Sequence, residues 1–256
     1  MATRGFGIDI GGSGIKGCPV DLDAGTFAAE RRRTPTPSPS TPAAVAGVVA
    51  EIVESFGEAA AGVPVGVTFP AVIQHGVART AANVDKSWIG TDVAALLRTE
   101  LGRPVRVLND ADAAGYAETR YGAAKDARGT IFMATLGTGI GSALIVDGVL
   151  VPNTELGHLE VDGKDAETRA ADSVREAEGL NWEQWAKRLT RYFNAIEKLF
   201  WPDLIVVGGG VSKKAHKFLP HLEIRTPIVP SILKNDGGII GAALLAVEGA
   251  DAAVAG

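Results

Sequence analysis

Asp9-Ile10-Gly11-Gly12-Ser13-Gly14-Ile15-Lys16-Gly17-Cys18-Pro19-Val20 puts an apolar run on each side of a glycine-rich turn. Residues 5–10 and 15–22 read as two strands joined in a hairpin. A doubly wound dinucleotide fold needs a helix directly after its first glycine loop. Here the chain continues as strand, and Pro19 would break a helix. Gly12-Ser13-Gly14 also lacks the third glycine of the dinucleotide fingerprint. An oxidoreductase of that fold therefore loses support. What remains is a carboxylate, Asp9, at a strand end, next to amides of Gly11, Gly12, Ser13 and Gly14 that can approach a phosphate closely. Lys16 lies just beyond as a charge partner.

Working outward, the same pattern recurs. Strands over 130–135 and 142–146 flank Gly137-Thr138-Gly139-Ile140-Gly141, and a third strand, Leu204–Val207, ends in Gly208-Gly209-Gly210. Each glycine cluster alone is weak. Three in one short chain are better explained by one phosphate-bearing ligand than by three unrelated turns. Apolar spacing predicts helices over 42–56, 111–121, 182–200 and 238–248, with buried strands over 63–72 and 105–108. Thr34–Pro42 reads as a rigid, polar surface connection. The organisation predicts an α/β chain of two lobes with a cleft. A small lobe over 1–108 is completed by 238–256, and a large lobe covers 109–237.

Composition narrows the class. The chain has 256 residues, 46% hydrophobic and 21% charged, enough for a sizeable core. A single cysteine, Cys18, excludes an intramolecular disulfide framework and a cysteine-rich structural zinc site. No stretch of 18 uncharged apolar residues predicts a membrane span, and the first residues lack the apolar run of a signal peptide. A cytoplasmic location is expected. The net charge of −5 repels polyanions, so nucleic acid is not an expected partner and any polyphosphate needs a local basic patch.

Two further stretches carry chemistry. Asn109-Asp110 ends an apolar strand and opens a helix rich in small residues. Both types favour a helix N-cap, and the Asp carboxylate could equally orient and deprotonate a substrate hydroxyl. Glu155-Leu156-Gly157-His158-Leu159-Glu160 gathers two carboxylates and an imidazole. Pro152 and Gly157 argue for a loop, where such groups bridge neighbouring hydroxyls of a sugar better than they hold a metal.

Taken in order, Asp9-Ile-Gly-Gly12, Leu108-Asn109-Asp110-Ala111, Leu136-Gly-Thr-Gly-Ile-Gly141, Glu155-x-Gly157-His158 and Val207-Gly-Gly-Gly210 resemble the sugar kinases of the repressor/open-reading-frame/kinase (ROK) family. The resemblance runs from about residue 5 to 248. It implies a duplicated actin-like ATPase (ribonuclease H-like) fold and a homodimer. It also implies that Asp110 is the catalytic base, that Asn109, Glu155, His158 and Glu167 hold a hexose, and that Asn83 lies in the segment closing over the sugar. Many members carry a cysteine cluster for structural zinc shortly after the Gly-His pair; this chain has Val161-Asp-Gly-Lys-Asp-Ala166, so no structural zinc is expected. Arg79–Gly90 and Asn153–Val161 more closely resemble the polyphosphate-using glucokinases of actinobacteria.

The resulting expectation is phosphoryl transfer from polyphosphate, and ATP, to the 6-hydroxyl of glucose. Asp9 would position Mg²⁺, most simply through water. Donor phosphates would meet the turns at Gly11–Gly14 and Gly137-Thr138-Gly139, with Lys16 and Lys86 as cations and Gly208–Gly210 near the nucleoside. Alternatives are a strictly ATP-dependent glucokinase, a kinase of mannose, fructose or an N-acetylhexosamine, and a non-catalytic sugar sensor. Candidate polyphosphate cations are Lys16, Lys86, Lys164, Lys187-Arg188 with Arg191, and Lys213-Lys214 with Lys217; Arg31-Arg32-Arg33 reads as a solvated face.

Overall fold

The computed structural model describes residues 3–81 and 84–254. The chain divides into two compact units, 1–117 with 236–256, and 118–235. In the first unit β1 (Arg4–Ile10), β2 (Ile15–Asp21), β3 (Thr26–Phe27) and β4 (Arg32–Thr34) precede helix α1 (Pro42–Glu54). Then come β5 (Val65–Phe69), the small pair β6 (Ile73–Gln74) and β7 (Val77–Ala78), helix α2 (Val93–Leu101), β8 (Val105–Asn109) and helix α3 (Asp110–Tyr121). The main sheet has the order β3-β2-β1-β5-β8, with β4 also on β2. β1 and β2 are antiparallel, while β1–β5 and β5–β8 are parallel. All five residues of β5 are buried, as expected for a parallel strand covered on both faces. Phe6, Ile8 and Val67 pack with Val45, Val49 and Ile52 of α1 and Leu97 of α2.

The second unit repeats that plan. β9 (Thr130–Leu136) and β10 (Ile140–Val146) form an antiparallel pair around a glycine turn, with β11 (Val149–Val151) on the edge. A hairpin of β12 (Glu160–Val161) and β13 (Lys164–Asp165) leads into short helices α4 (Glu167–Ala170) and α5 (Asp172–Ala177). The long helix α6 (Trp182–Phe200) precedes β14 (Leu204–Gly208) and β15 (Ile228–Pro230). β14 pairs parallel to β9, giving the order β11-β10-β9-β14-β15. The β2-β1-β5 arrangement of the first unit thus reappears as β10-β9-β14. A capping box starts α6: the Asn181 side chain accepts from the Gln184 amide, and the Gln184 side chain accepts from the Asn181 amide. Its Trp185, Leu189, Phe193 and Ile196 are buried.

Helix α7 (Gly237–Val254) belongs to the first unit. A Cβ at Gly5 would lie 2.8 Å from the Ala243 carbonyl oxygen, and Cβ atoms at Gly7 and Gly66 would overlap the carbonyl oxygens of Ile239 and Ala242. Bare backbone on β1 and β5 therefore lets α7 lie directly on the sheet. At Gly241 a Cβ would overlap the carbonyl oxygen of Ala113, so α7 also holds the first turns of α3. The units divide at 117/118, within α3, and at 235/236, where 108/109 and 237/238 were expected. Asn109 and Asp110 consequently sit in the first unit.

The expected strand over 63–72 is confined to Val65–Phe69, ending at Pro70. Thr34–Pro42 lies at the surface, as expected, and is tied down along its length. Thr34 pairs in β4, Thr36 donates to the Gly11 carbonyl at 2.5 Å, and the Ser40 carbonyl accepts from the Trp88 indole at 2.8 Å. Among the described residues no helix is long and apolar enough to cross a membrane.

Candidate functional site

In the first unit, Asp9, Thr68 and Asn109 occupy the carboxyl ends of the adjacent parallel strands β1, β5 and β8. Ligands of open α/β sheets bind at such ends. Asp9 stands opposite Lys16 across the β1–β2 ladder, and the Lys16 ammonium donates to Asp9 Oδ2 at 2.9 Å. The buried Thr68 hydroxyl donates to Oδ1 at 3.0 Å. One carboxylate, partly exposed, is therefore oriented at both oxygens beside the turn. The turn closes through the Gly11 amide donating to the Gly14 carbonyl at 3.1 Å, leaving Gly12 and Ser13 exposed at its tip.

The turn has a cation that sequence reading assigned to a solvated face. Arg33 donates to the Ser13 carbonyl at 2.9 Å, and a Cβ at Gly14 would meet its guanidinium at 2.7 Å. Arg31 pairs with Asp236 at 2.8 Å, and Arg32 lies over the Phe56 ring. The triplet has Arg32 and Arg33 exposed, as expected of a solvated face, but each of its members also has a specific contact. Its signal was the β2–β4 register, which sets Arg33 opposite Lys16.

Asn109 caps α3. Its side-chain oxygen accepts from the amides of Ala111 at 2.8 Å and Asp112 at 3.2 Å, and its amide donates to the Ala71 carbonyl at 3.2 Å. The residue is 9% exposed. The next residue, Asp110, is the first of α3 and is exposed. The Asn109 side chain is committed to the backbone, and Asp110, though exposed, also accepts from the Ala111 amide through Oδ1 at 2.8 Å. Lys86 is exposed on a short turn, Lys86–Trp88, whose Trp88 is buried against Phe69. Asn83 lies outside the described residues.

In the second unit, Gly137-Thr138-Gly139 joins β9 to β10, with the Gly137 amide donating to the Gly139 carbonyl at 3.0 Å. Ser173 secures it by donating its hydroxyl to the Thr138 carbonyl at 2.6 Å. Glu167 reaches the same turn. Its Oε2 accepts from the Ile140 amide at 2.7 Å and fills the space a Cβ on Gly139 would take. The residue expected at the sugar is therefore in contact with the expected donor turn.

Asp165, which sequence reading passed over, links these groups. One oxygen meets His158 Nδ1 at 2.8 Å and the other accepts from the Glu167 amide at 2.9 Å. The Asp165 hydrogen bond raises the imidazole above its ordinary value, with the charges of Glu167 and Glu155 adding to it. Desolvation raises the Glu155 carboxyl, and Glu167 pushes it further while His158 pulls it down. The loop is fixed by Gly157, where a Cβ would overlap the Ile140 carbonyl oxygen, and by Ser142, whose hydroxyl accepts from the Leu156 amide at 2.9 Å. A hydrogen-bonding surface of two carboxylates and an imidazole suits a polyhydroxylated ligand.

Of the third cluster, packing explains two members. A Cβ at Gly208 would strike the Met133 methyl, and one at Gly209, which has φ of 80°, would overlap the Leu136 carbonyl. Gly210 faces open space. No group of three or more His, Cys, Asp or Glu suited to a metal occurs among the described residues. A lone carboxylate at a phosphate turn still fits Mg²⁺, which keeps several waters and takes one or two carboxylates plus substrate phosphates.

The ROK family model matches residues 5–173. The polyphosphate glucokinase of Mycobacterium tuberculosis (strain CDC 1551 / Oshkosh) is 57% identical over 245 residues, 95% of this chain and 91% of that protein. The polyphosphate glucokinase of Mycobacterium leprae (strain TN) is 55% identical over 242 residues, 94% of this chain and 74% of that protein. The crystal structure of an inorganic polyphosphate/ATP-glucomannokinase from Arthrobacter sp. strain KM superposes with a TM-score of 0.91 at 57% identity, covering 96% of this chain and 99% of that one.

Proposed function

The chain belongs to the ROK family, and we propose that within it this protein is a glucokinase, moving a phosphoryl group from inorganic polyphosphate or ATP to the 6-hydroxyl of glucose. Its fold is the duplicated actin-like ATPase fold. The observation that carries the reading is the 57% identity, across 95% of the chain, to a polyphosphate glucokinase. The similarly identical Arthrobacter glucomannokinase supports ATP as a donor and mannose as a second acceptor.

The residue roles belong to the same proposal. Asp110 accepts the proton of the attacking hydroxyl. Its exposed carboxylate at the start of α3 supports this, and in a loose phosphoryl-transfer transition state its main task is orientation. Glu155, His158 and Glu167 fix the ring hydroxyls, while Asn109 shapes the strand end that presents Asp110. Asn83 and Lys86 belong to the segment flanking the sugar. The turns at Gly11–Gly14 and Gly137–Gly139 hold donor phosphates through amides other than those of Gly11 and Gly137, which close the turns, with Lys16 and Arg33 as cations and Gly210 beside the nucleoside. Asp9 would hold Mg²⁺, which when bound would supply charge neutralisation for the transferring phosphoryl group. The reading carries with it a cytoplasmic homodimer without structural zinc.

The test is a coupled assay with glucose and Mg²⁺, comparing polyphosphate with ATP. Both should be used, and Asp9→Ala should need more Mg²⁺. Turnover with ATP alone would move the protein to the strictly ATP-dependent class, and no turnover with either would end the kinase reading.

A further inference from the structure

The second unit contains a cavity of about 420 Å³ between the β12–β13 hairpin, α4 and α6. Its lining includes Lys164, Arg169, Lys187, Arg188, Arg191 and Tyr192. The volume is within the usual range of small-ligand sites. Five cations around one cavity are unexpected on a chain of net charge −5. Spacing on α6 builds part of the cluster, because Arg188, Arg191 and Tyr192 share one helical face.

Local pairing absorbs only some of this charge. Arg191 pairs with Asp162, Arg188 with Glu178, and Lys187 with Glu183 at 3.4 Å, the last pair well exposed. Arg188 also donates to the Arg169 carbonyl at 3.1 Å, which ties α6 to α4. Among the described residues, neither Lys164 nor Arg169 has a carboxylate at ion-pair distance. The Tyr192 hydroxyl is buried and has no hydrogen-bond partner among them either. Buried hydroxyls are normally satisfied, so an unpaired one lining a basic cavity points to a ligand with acceptor oxygens.

The cavity lies close to the donor turn. Glu167 accepts from the Ile140 amide at that turn, and Arg169, two residues along α4, lines the cavity. Residues two apart on a helix point to nearly opposite sides, so Glu167 faces the turn and Arg169 the other side of α4, about 3 Å along its axis. A linear polyanion with its reacting end at Gly137–Gly139 would have to run round α4 to meet these cations, whereas ATP carries no phosphate beyond its third.

We propose that this cavity holds the polyphosphate chain beyond the phosphate being transferred, with Lys164, Arg169 and Lys187 as its main cations. The proposal rests on the polyphosphate-donor reading above, and names the site through which long chains are preferred to short ones. The shared chemistry is phosphate, so free phosphate is the other source to be distinguished.

The experiment compares long-chain polyphosphate, tripolyphosphate and ATP as donors. The proteins are the unaltered chain, Lys164→Gln/Arg169→Gln/Lys187→Gln, and the charge-keeping Lys164→Arg/Arg169→Lys/Lys187→Arg. The neutralised variant should raise KM for the long chain about tenfold, leave ATP and tripolyphosphate within about twofold, and flatten the salt dependence of the long-chain KM by roughly two logarithmic units per decade, at about 0.7 for each lost contact. The charge-keeping variant should behave like the unaltered protein. Equal effects on all three donors, or none on the long chain, would overturn the assignment while the donor reading stands. An unaltered protein that turns over ATP but no polyphosphate defeats both. An ATP-driven rate that responds to inorganic phosphate in the unaltered protein, and not in the neutralised one, would make the cavity a free-phosphate site and overturn it as well.

Discussion

At the scale of single residues, Asp165 has the most to explain. It holds His158 through one oxygen and the start of α4 through the other. Because its hydrogen bond raises the imidazole, the charged form of His158 is favoured in the folded protein. Its contribution to stability is present in full below the ordinary histidine value of 6.5, and fades as pH climbs through the raised one. His158 is 51% exposed, so that contribution is small, on the order of 0–1 kcal/mol. The larger consequence is orientation of the ring. In Asp165→Asn the His158 titration followed by NMR should move down toward 6.5, and KM for glucose should rise several-fold with kcat less affected. A titration that stays where it is would show that Asp165 does not govern the imidazole. Sequence reading singled out His158 from its loop and Glu167 by resemblance but not Asp165, because a carboxylate seven residues from its partner across a two-residue hairpin has no local pattern. Arg33 was set aside as part of a solvated face for a related reason: only the β2–β4 register reveals which way a basic triplet is used.

At the scale of elements, strands with glycine turns were legible because their apolar period and turn chemistry agree. The β1–β2 and β9–β10 hairpins were expected to within about two residues at each end. Helix α2 was not expected at all, since only Val93, Ala94 and Leu97 of its nine residues are buried, leaving a thin apolar stripe. What sequence could not disclose was why β1 and β5 carry glycine. The contact with α7 supplies the reason and a pair of opposed predictions. Gly66→Ala would drive a methyl into the Ala242 carbonyl, and α7 must move off the sheet. A loss of about 1–3 kcal/mol or more is expected in denaturant unfolding. Gly47 lies inside α1 with open space around it, so Gly47→Ala should add up to about 1 kcal/mol through better helix propensity. Similar effects at both sites would mean that helix packing on the sheet is not what selects glycine.

At the scale of the whole molecule, binding and catalysis can be separated through stability. A ligand that binds only the folded protein stabilises it by about 2.7 kcal/mol when present at 100 times its Kd. For a chain of this size each kcal/mol raises Tm by roughly 2–4 °C, so saturating glucose should raise Tm by about 5–10 °C. Asp110→Asn keeps the shape of the side chain and can still hydrogen-bond a hydroxyl, but it cannot take the proton. Its own place at the start of α3 should survive, because Asn109 supplies the cap through the amides of Ala111 and Asp112. The variant should therefore keep most of the glucose-induced rise in Tm while its turnover with ATP and with polyphosphate falls by 10²-fold or more. A protein that merely sensed sugar would show the same rise and no turnover to lose. If Asp110→Asn abolished the rise as well, the carboxylate would be a sugar ligand before it is a base, and the proton would have to leave the 6-hydroxyl by another route.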